Sequence, residues 1–311
     1  MNIIIVISSL VLASISFIFL QKYFLSMNRF VGINNRSSHT SIATNSGGIS
    51  IFITIFLISC ILYILGIEIY DYKILVPLSI MSLIGFYDDI YDIDFKLKLI
   101  FQIITAKVII DQGYIISNLH GVFGIFELSS LLAQPLTIFI IISIINAINF
   151  IDGLDGLALS VISVFIISFE FFGKNFFYFD NLSLLIISCM MPLWYFNFKK
   201  NNKIFLGDSG SLMFGTLISI YTISILKNEY VIKEVYDVHK VLFVISILFY
   251  PIIDIIRIFF IRIINGKSPF MADKKHIHHV LLRSLKFHWA VNLIIVIMTI
   301  LVILLIQLLF N

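Results

Sequence analysis

The chain carries little charge. Only 13% of its 311 residues are Asp, Glu, Lys or Arg, against about 25% in an ordinary soluble domain, which excludes a solvated globular fold. It has two cysteines, Cys60 and Cys189, each inside an apolar run; that is no disulfide framework and no metal-ligand spacing. Five prolines and no Pro/Ser-rich stretch leave nothing to divide the chain, so residues 1–311 read as one domain. No basic stretch precedes the first apolar run, which is also too long for a signal-peptide core and therefore reads as a permanent span. The net charge of +3 is too small to point to nucleic acid.

Apolar sequence is what fills the rest. Sixty per cent of the residues are hydrophobic and the mean hydropathy is +1.06. Runs near the roughly 20 residues that cross hydrocarbon recur at about 3–26, 47–66, 73–88, 97–112, 130–149, 157–173, 182–198, 210–226, 240–262 and 288–310. The expected fold is an all-α polytopic membrane protein with about ten transmembrane helices. The stretch 113–129, broken by Gly113, Gly121 and Gly124, is expected to be a short outward hairpin and not an eleventh span. Of the 21 Lys and Arg, all but Lys73, Lys107, Lys174, Lys227, Lys233 and Lys240 fall in one set of connecting segments. The positive-inside bias puts that set in the cytoplasm and both termini outside.

Four polar clusters lie on this basic side. In DDIYD (88–92), Asp88 and Asp92 share a face if the helix continues. Three carboxylates this close repel unless a cation binds or some protonate, and Mg²⁺ takes carboxylate oxygens together with substrate phosphates; the plain alternative is a solvated acidic loop. In NAINFIDGLDGLA (146–158), Asn149, Asp152 and Asp155 would line one side of a helix, and Gly153 and Gly156 would admit a ligand or another helix. Polar groups at a membrane helix end are costly unless they line a wet site. GDSGS (207–211) opens a span; its backbone N–H groups suit phosphate oxygens, or Asp208 or Ser209 simply caps the helix. The last span but one ends in Asp254 and Arg257, read as an ion pair, and is followed by GKSPFMADKKHIHH (266–279). That basic, His-rich loop suits an anion such as a pyrophosphate; zinc competes for H-x-H-H but lacks a second ligand cluster. Arg36 and His39, ahead of Gly47-Gly48, add cationic groups to the same face.

These four motifs, in this order and on one membrane face, resemble the polyprenyl-phosphate N-acetylhexosamine-1-phosphate transferase family over about residues 30–285. Within it, DDxxD with H-x-H-H resembles the bacterial enzymes that initiate O-antigen, enterobacterial common antigen or teichoic acid synthesis. The phospho-N-acetylmuramoyl-pentapeptide transferase branch usually has a basic residue where Asp92 stands. The family's usual prolines before the Gly pair are replaced here by Ser37, Ser38 and Asn45-Ser46, which leaves the parts of Arg36 and His39 open.

The resemblance implies a Mg²⁺-dependent enzyme (Mn²⁺ being the substitute) of the cytoplasmic membrane, with its site facing the cytoplasm. Undecaprenyl phosphate would attack a UDP-N-acetylhexosamine and release UMP. It implies Asp88, Asp89, Asp152 and Asp155 in catalysis and Asp208 with Asn149 at the metal. Arg36, His39, Asn146, Lys98, Ser268, Phe270, Asp273, Lys274, His276, His278 and His279 are implied in substrate binding. A homodimer is what the family suggests. The sugar defaults to N-acetylglucosamine. Outside the family, a secondary transporter would place its acidic site near the midplane, and a non-catalytic binder would need only the basic loop.

Overall fold

The computed structural model describes residues 2–30, 42–173, 177–227, 238–266 and 275–309. Twelve α-helices account for most of them. In chain order they are α1 (Asn2–Ser26), α2 (Gly47–Ile64), α3 (Leu75–Tyr91), α4 (Phe95–Asp111), α5 (Ser130–Ile151) and α6 (Leu157–Phe172). Then come α7 (Phe177–Phe198), α8 (Gly207–Leu226), α9 (Val238–Ile247), α10 (Phe249–Ile264), α11 (Ile277–Leu285) and α12 (His288–Leu309). The protein is thus an all-α membrane protein. Two two-residue strands, β1 (Ala43–Thr44) and β2 (Lys203–Ile204), pair in parallel and tie the segment before α2 to the segment before α8.

Among the described residues, seven helices are long and apolar enough to cross a membrane, and α9 with α10 makes an eighth if counted as one span. The other two expected spans are the short helices α4 and α6. At 17 and 16 residues and 1.5 Å per residue they reach only about 25 Å, less than the hydrocarbon thickness. The expected single span over 240–262 is instead bent by 77° between α9 and α10. Pro251 sits in the first turn of α10, where its missing N–H cannot continue the hydrogen bonds of α9. The stretch 113–129 is a hairpin, as expected: Asn118 bridges Glu127, and Leu119 N–H donates to Phe126 O at 2.8 Å.

Helix α8 is the axis of the bundle. Its span is 94% buried, against 22% for α1 and 28% for α12, whose apolar side chains face outward. A helix buried all round needs small residues where backbones meet, and α8 supplies them. A Cβ on Gly48 of α2 would fall 2.0 Å from Gly210 N, and one on Gly85 of α3 would fall 2.3 Å from Asp208 O. These glycines let α2 and α3 seat against the first turn of α8. The packing brings the C-terminal ends of α3 and α5 and the N-terminal ends of α4 and α8 into one layer.

Candidate functional site

The first part of the site is the first turn of α8. No side chain of its own segment caps it; its N-cap position is Leu206. The cap comes from α3: the Asp89 carboxylate accepts from Asp208 N–H and Ser209 N–H, both at 3.0 Å. Two of the four orphan donors of the helix start are thereby satisfied by carboxylate oxygens at the favourable end of the helix dipole. This corrects both readings of GDSGS: Asp208 and Ser209 do not cap, and these two N–H groups are not left for phosphate. Asn45 Nδ2 donates to Asp89 Oδ1 at 2.9 Å and fixes its rotamer.

Asp208 is then left to face its neighbours. Its Oδ2 accepts from Lys98 Nζ of α4 at 2.8 Å, and its Oδ1 accepts from Asn149 Nδ2 of α5 at 3.1 Å. Asn149 also donates to Ser211 Oγ at 2.8 Å. Lys98 pairs with Asp88 as well, and Asp88 Oδ1 accepts from Ile93 N–H at 2.8 Å. One ammonium therefore bridges two carboxylates from helices that are far apart in sequence. The expected sharing of a face by Asp88 and Asp92 is overturned. Asp92 ends α3 in a left-handed conformation (φ 53°) and is exposed, so only Asp88 and Asp89 belong to the site. Asn146 sits one turn before Asn149 in an amide pair with Gln102.

The second part is the turn between α5 and α6. The expectation that Asn149, Asp152 and Asp155 follow one helical face fails at Ile151, where α5 ends. Gly156 closes the turn at φ 76°, and a Cβ there would meet the Phe198 ring at 2.5 Å. The two carboxylates consequently have different surroundings. Asp155 is paired with Lys203 and with His288 Nδ1 at 3.1 Å, and Asn292 Nδ2 donates to its backbone O at 2.8 Å. Burial would raise the Asp155 pKa, but His288 and Lys203 outweigh it and hold it below the ordinary value. Among the described residues Asp152 has no cationic partner; burial, reinforced by Asp208, pushes it up to about 8. A polar pocket of about 140 Å³ opens between these groups, lined by Asn45, Asp152, Asp155, Asn197, Phe205 and Asp208. Asn197 is buried; its Nδ2 donates to Ile204 O at 3.0 Å, and its Oδ1 has no hydrogen-bond partner among the described residues.

The third part is the histidine run. His276 precedes α11, and His278 and His279 lie in its first turn. Gly153 lies under them: a Cβ there would fall 3.1 Å from His278 Nε2 and 3.5 Å from His279 Nε2. The expected Asp254–Arg257 ion pair is replaced by longer-range bonds. Asp254 accepts from His276 Nδ1 at 2.6 Å and from Ile277 N–H at 2.7 Å, while Arg257 donates to Lys275 O at 2.6 Å. His278 is buried among the rings, and burial with the adjacent His279 lowers its pKa from 6.5 to about 3. Arg36, His39, Ser268, Phe270, Asp273 and Lys274 lie outside the described residues.

Beside these polar groups lies an apolar groove of about 660 Å³ between α4, α5 and α10, lined by Phe95, Leu99, Ile142, Phe150, Ile256 and Phe260 among others. Asn146 forms part of its wall.

Sequence reasoning missed Asn45, Gln102, Lys203, Asn197, Phe205, His288 and Asn292. Each is a lone residue on a span or in a loop, without the clustering that marks the four motifs. Lys203 and Phe205 do stand within the segment that leads into Asp208, and that proximity is their local signal.

Residues 72–226 match the family described as glycosyl transferase family 4. That stretch runs from the start of α3 to the end of α8 and contains Asp88, Asp89, Lys98, Asn149, Asp152, Asp155, Lys203 and Asp208. The chain is 34% identical to the undecaprenyl-phosphate alpha-N-acetylglucosaminyl 1-phosphate transferase of Pasteurella multocida, over 81% of this chain and 70% of that protein. The chain belongs to glycosyl transferase family 4. It is 35% identical to the Haemophilus influenzae protein of the same name, over 68% of this chain and 61% of that one. It is 33% identical to a probable undecaprenyl-phosphate N-acetylglucosaminyl 1-phosphate transferase of Bacillus subtilis, over 80% of this chain and 68% of that protein. The matched region of this family 4 member thus holds both the acidic turn and the capped start of α8, whereas the histidine run lies beyond residue 226.

Proposed function

We propose that the chain transfers an N-acetylhexosamine-1-phosphate from a UDP-sugar to undecaprenyl phosphate, releases UMP, and leaves a lipid-diphosphate-sugar in the membrane. The observation that carries this is the adjacency of two unlike spaces: a polar pocket walled by Asp152, Asp155 and Asp208, and an apolar groove on α4, α5 and α10. A polyprenyl chain suits the groove, and its phosphate suits the polar end near Asn146. A nucleotide suits the pocket: Phe205 offers a ring face for a base, and the buried Asn197 Oδ1 offers an acceptor for a base N–H. The names of the relatives support N-acetylglucosamine as the sugar.

The residues fit a divalent cation. Asp88 and Asp208 already share one cationic group, the Lys98 ammonium, so both can reach a common ion, and hard divalent cations take such oxygen ligands. Asp208, with Asp88, would hold Mg²⁺ (or Mn²⁺), which neutralises charge on a diphosphate and on the leaving UMP. Asn149 orients the Asp208 carboxylate through its amide N–H. Asp89 keeps the first turn of α8, and with it Asp208, in register. Asp155, ionised and clamped by Lys203 and His288, shapes the acidic turn. Asp152, which holds a proton near neutrality, can hydrogen-bond a donor oxygen or exchange a proton with it. Transfer of this kind is mostly positioning and charge neutralisation.

The Lys/Arg bias supports a cytoplasmic-membrane protein with the site facing the cytoplasm. Initiation of an envelope polysaccharide of the O-antigen or teichoic-acid type is the pathway that the reading implies. A transporter is disfavoured because the carboxylates stand at helix ends and not at midspan. UMP release by purified protein from UDP-N-acetylglucosamine, with and without undecaprenyl phosphate, tests the proposal. Release that needs the lipid is expected; no release with any UDP-N-acetylhexosamine overturns it.

A further inference from the structure

The break at Leu248 turns α10 away from the line of α9 and brings its first turns against the histidine run. Two buried polar residues there, Tyr250 and Asp254, are unexplained by membrane packing; they are 5% and 0% exposed. Each is bonded to a histidine more than twenty residues on. Asp254 Oδ2 meets His276 Nδ1 at 2.6 Å, and Tyr250 OH meets His278 Nδ1 at 2.7 Å. The two imidazoles stack, with ring centroids 5.4 Å apart and planes 17° from parallel.

These partners dictate where each ring carries its proton. An ionised carboxylate only accepts, so His276 must bear hydrogen on Nδ1; in the neutral ring Nε2 then keeps its lone pair. Tyr250 has one hydroxyl proton and, among the described residues, bonds only to His278. If it donates to Nδ1, only the His278 Nε2–H is unsatisfied. If His278 donated instead, the phenol proton and the Nε2 lone pair would both be buried without partners, the costlier arrangement. Among the described residues His278 Nε2 is indeed buried and unpartnered, and it faces Gly153 in the acidic turn.

We propose that Asp254 and Tyr250 are positioning residues that lock His276 and His278 in opposite tautomers, so that the pair presents one acceptor, His276 Nε2, and one donor, His278 Nε2–H, to a phosphorylated donor substrate. The opposition matters because a phosphate oxygen needs a hydrogen donor, while a phosphate or sugar hydroxyl needs an acceptor. Asp254 also accepts from Ile277 N–H, so the same carboxylate fixes the start of α11 and the ring beside it. The substrate class rests on the transferase reading, whereas the tautomers are a property of the substrate-free protein.

The test is ¹⁵N magnetic resonance of the full-length, detergent-solubilised protein labelled at histidine, with signals assigned from His276→Asn and His278→Asn. Protonation at Nδ1 of His276 and at Nε2 of His278 is expected. Tyr250→Phe removes one oxygen and keeps the ring; it should shift His278 to a tautomer mixture. It should also raise KM for the UDP-sugar roughly three- to tenfold, a fraction of one hydrogen bond to a charged group, while kcat changes less than about twofold. Asp254→Asn should move the His276 proton to Nε2. The opposite tautomer at either ring in the wild type overturns the proposal, as does Tyr250→Phe with both its tautomer and its KM unchanged. A wild-type protein with the expected tautomers but no UMP release would refute the transferase reading and leave the tautomer lock standing.

Discussion

Asp89 separates a scaffolding carboxylate from a reacting one. It is bonded to the N–H groups of Asp208 and Ser209 and to the Asn45 amide. Loss of a helix cap costs about 0.5–2 kcal/mol, and loss of a negative charge from the start of a helix costs about a further 0.3–1 kcal/mol. Asp89→Ala abolishes all three bonds and should destabilise the protein by about 1–3 kcal/mol. Asp89→Asn keeps one carbonyl acceptor but turns an amide donor toward other donors, and should cost about 1–2 kcal/mol. Both should also lower turnover, because the turn they loosen carries Asp208. Thermal unfolding in detergent, measured beside UMP release, reads both effects. The cap argument requires stability and activity to fall together, in the order Ala beyond Asn. If Asp89→Asn is as stable as wild type yet inactive, Asp89 acts on substrate and the cap assignment is wrong.

Four further expectations follow from the same geometry. Gly85→Ala places a methyl 2.3 Å from Asp208 O; overpacking of this kind costs about 1–3 kcal/mol, and an unfolding midpoint equal to wild type would show that α3 and α8 are not packed as described. Asp208→Asn should lower UMP release by orders of magnitude and blunt its response to Mg²⁺ while insertion and purification stay normal; near-normal turnover would remove Asp208 from the metal. His278, with its folded pKa near 3 against 6.5, stays neutral where the unfolded ring is protonated. Its site is therefore most stable above about pH 6.5 and loses stability as pH falls toward about 3; wild type should lose more stability than His278→Gln over that window, and an equal or smaller loss would contradict the buried, neutral ring. Cysteines placed at Ile93 and Asn201 in a Cys-free background should resist an impermeant thiol reagent in intact cells, and labelling from outside would reverse the topology.

What the sequence determined alone is what depends on local composition. Hydrophobic run length is a property of each segment by itself, so the helices appear close to where the runs lie. Pairing of short, Gly-broken strands is also local, and the hairpin at 113–129 was legible for that reason. The four polar clusters could be found because each packs several costly residues into a few positions at a span end.

The tertiary structure decided which partner each polar atom takes. Asp89 caps a helix that begins 118 positions later, and nothing near it in sequence announces that. Lys98 looks like one more positive-inside lysine until α4 and α8 set it between Asp88 and Asp208. Asp254 has an arginine three residues on, the partner that helix periodicity favours, yet the 77° break delivers it to His276. Asp92 belongs to its motif by spelling but leaves the site because α3 ends one residue earlier. Local spacing fixes which residues can share a face only while the helix lasts. Once it ends, the direction of the chain and the approach of other helices decide the contacts, and both depend on packing across the whole bundle.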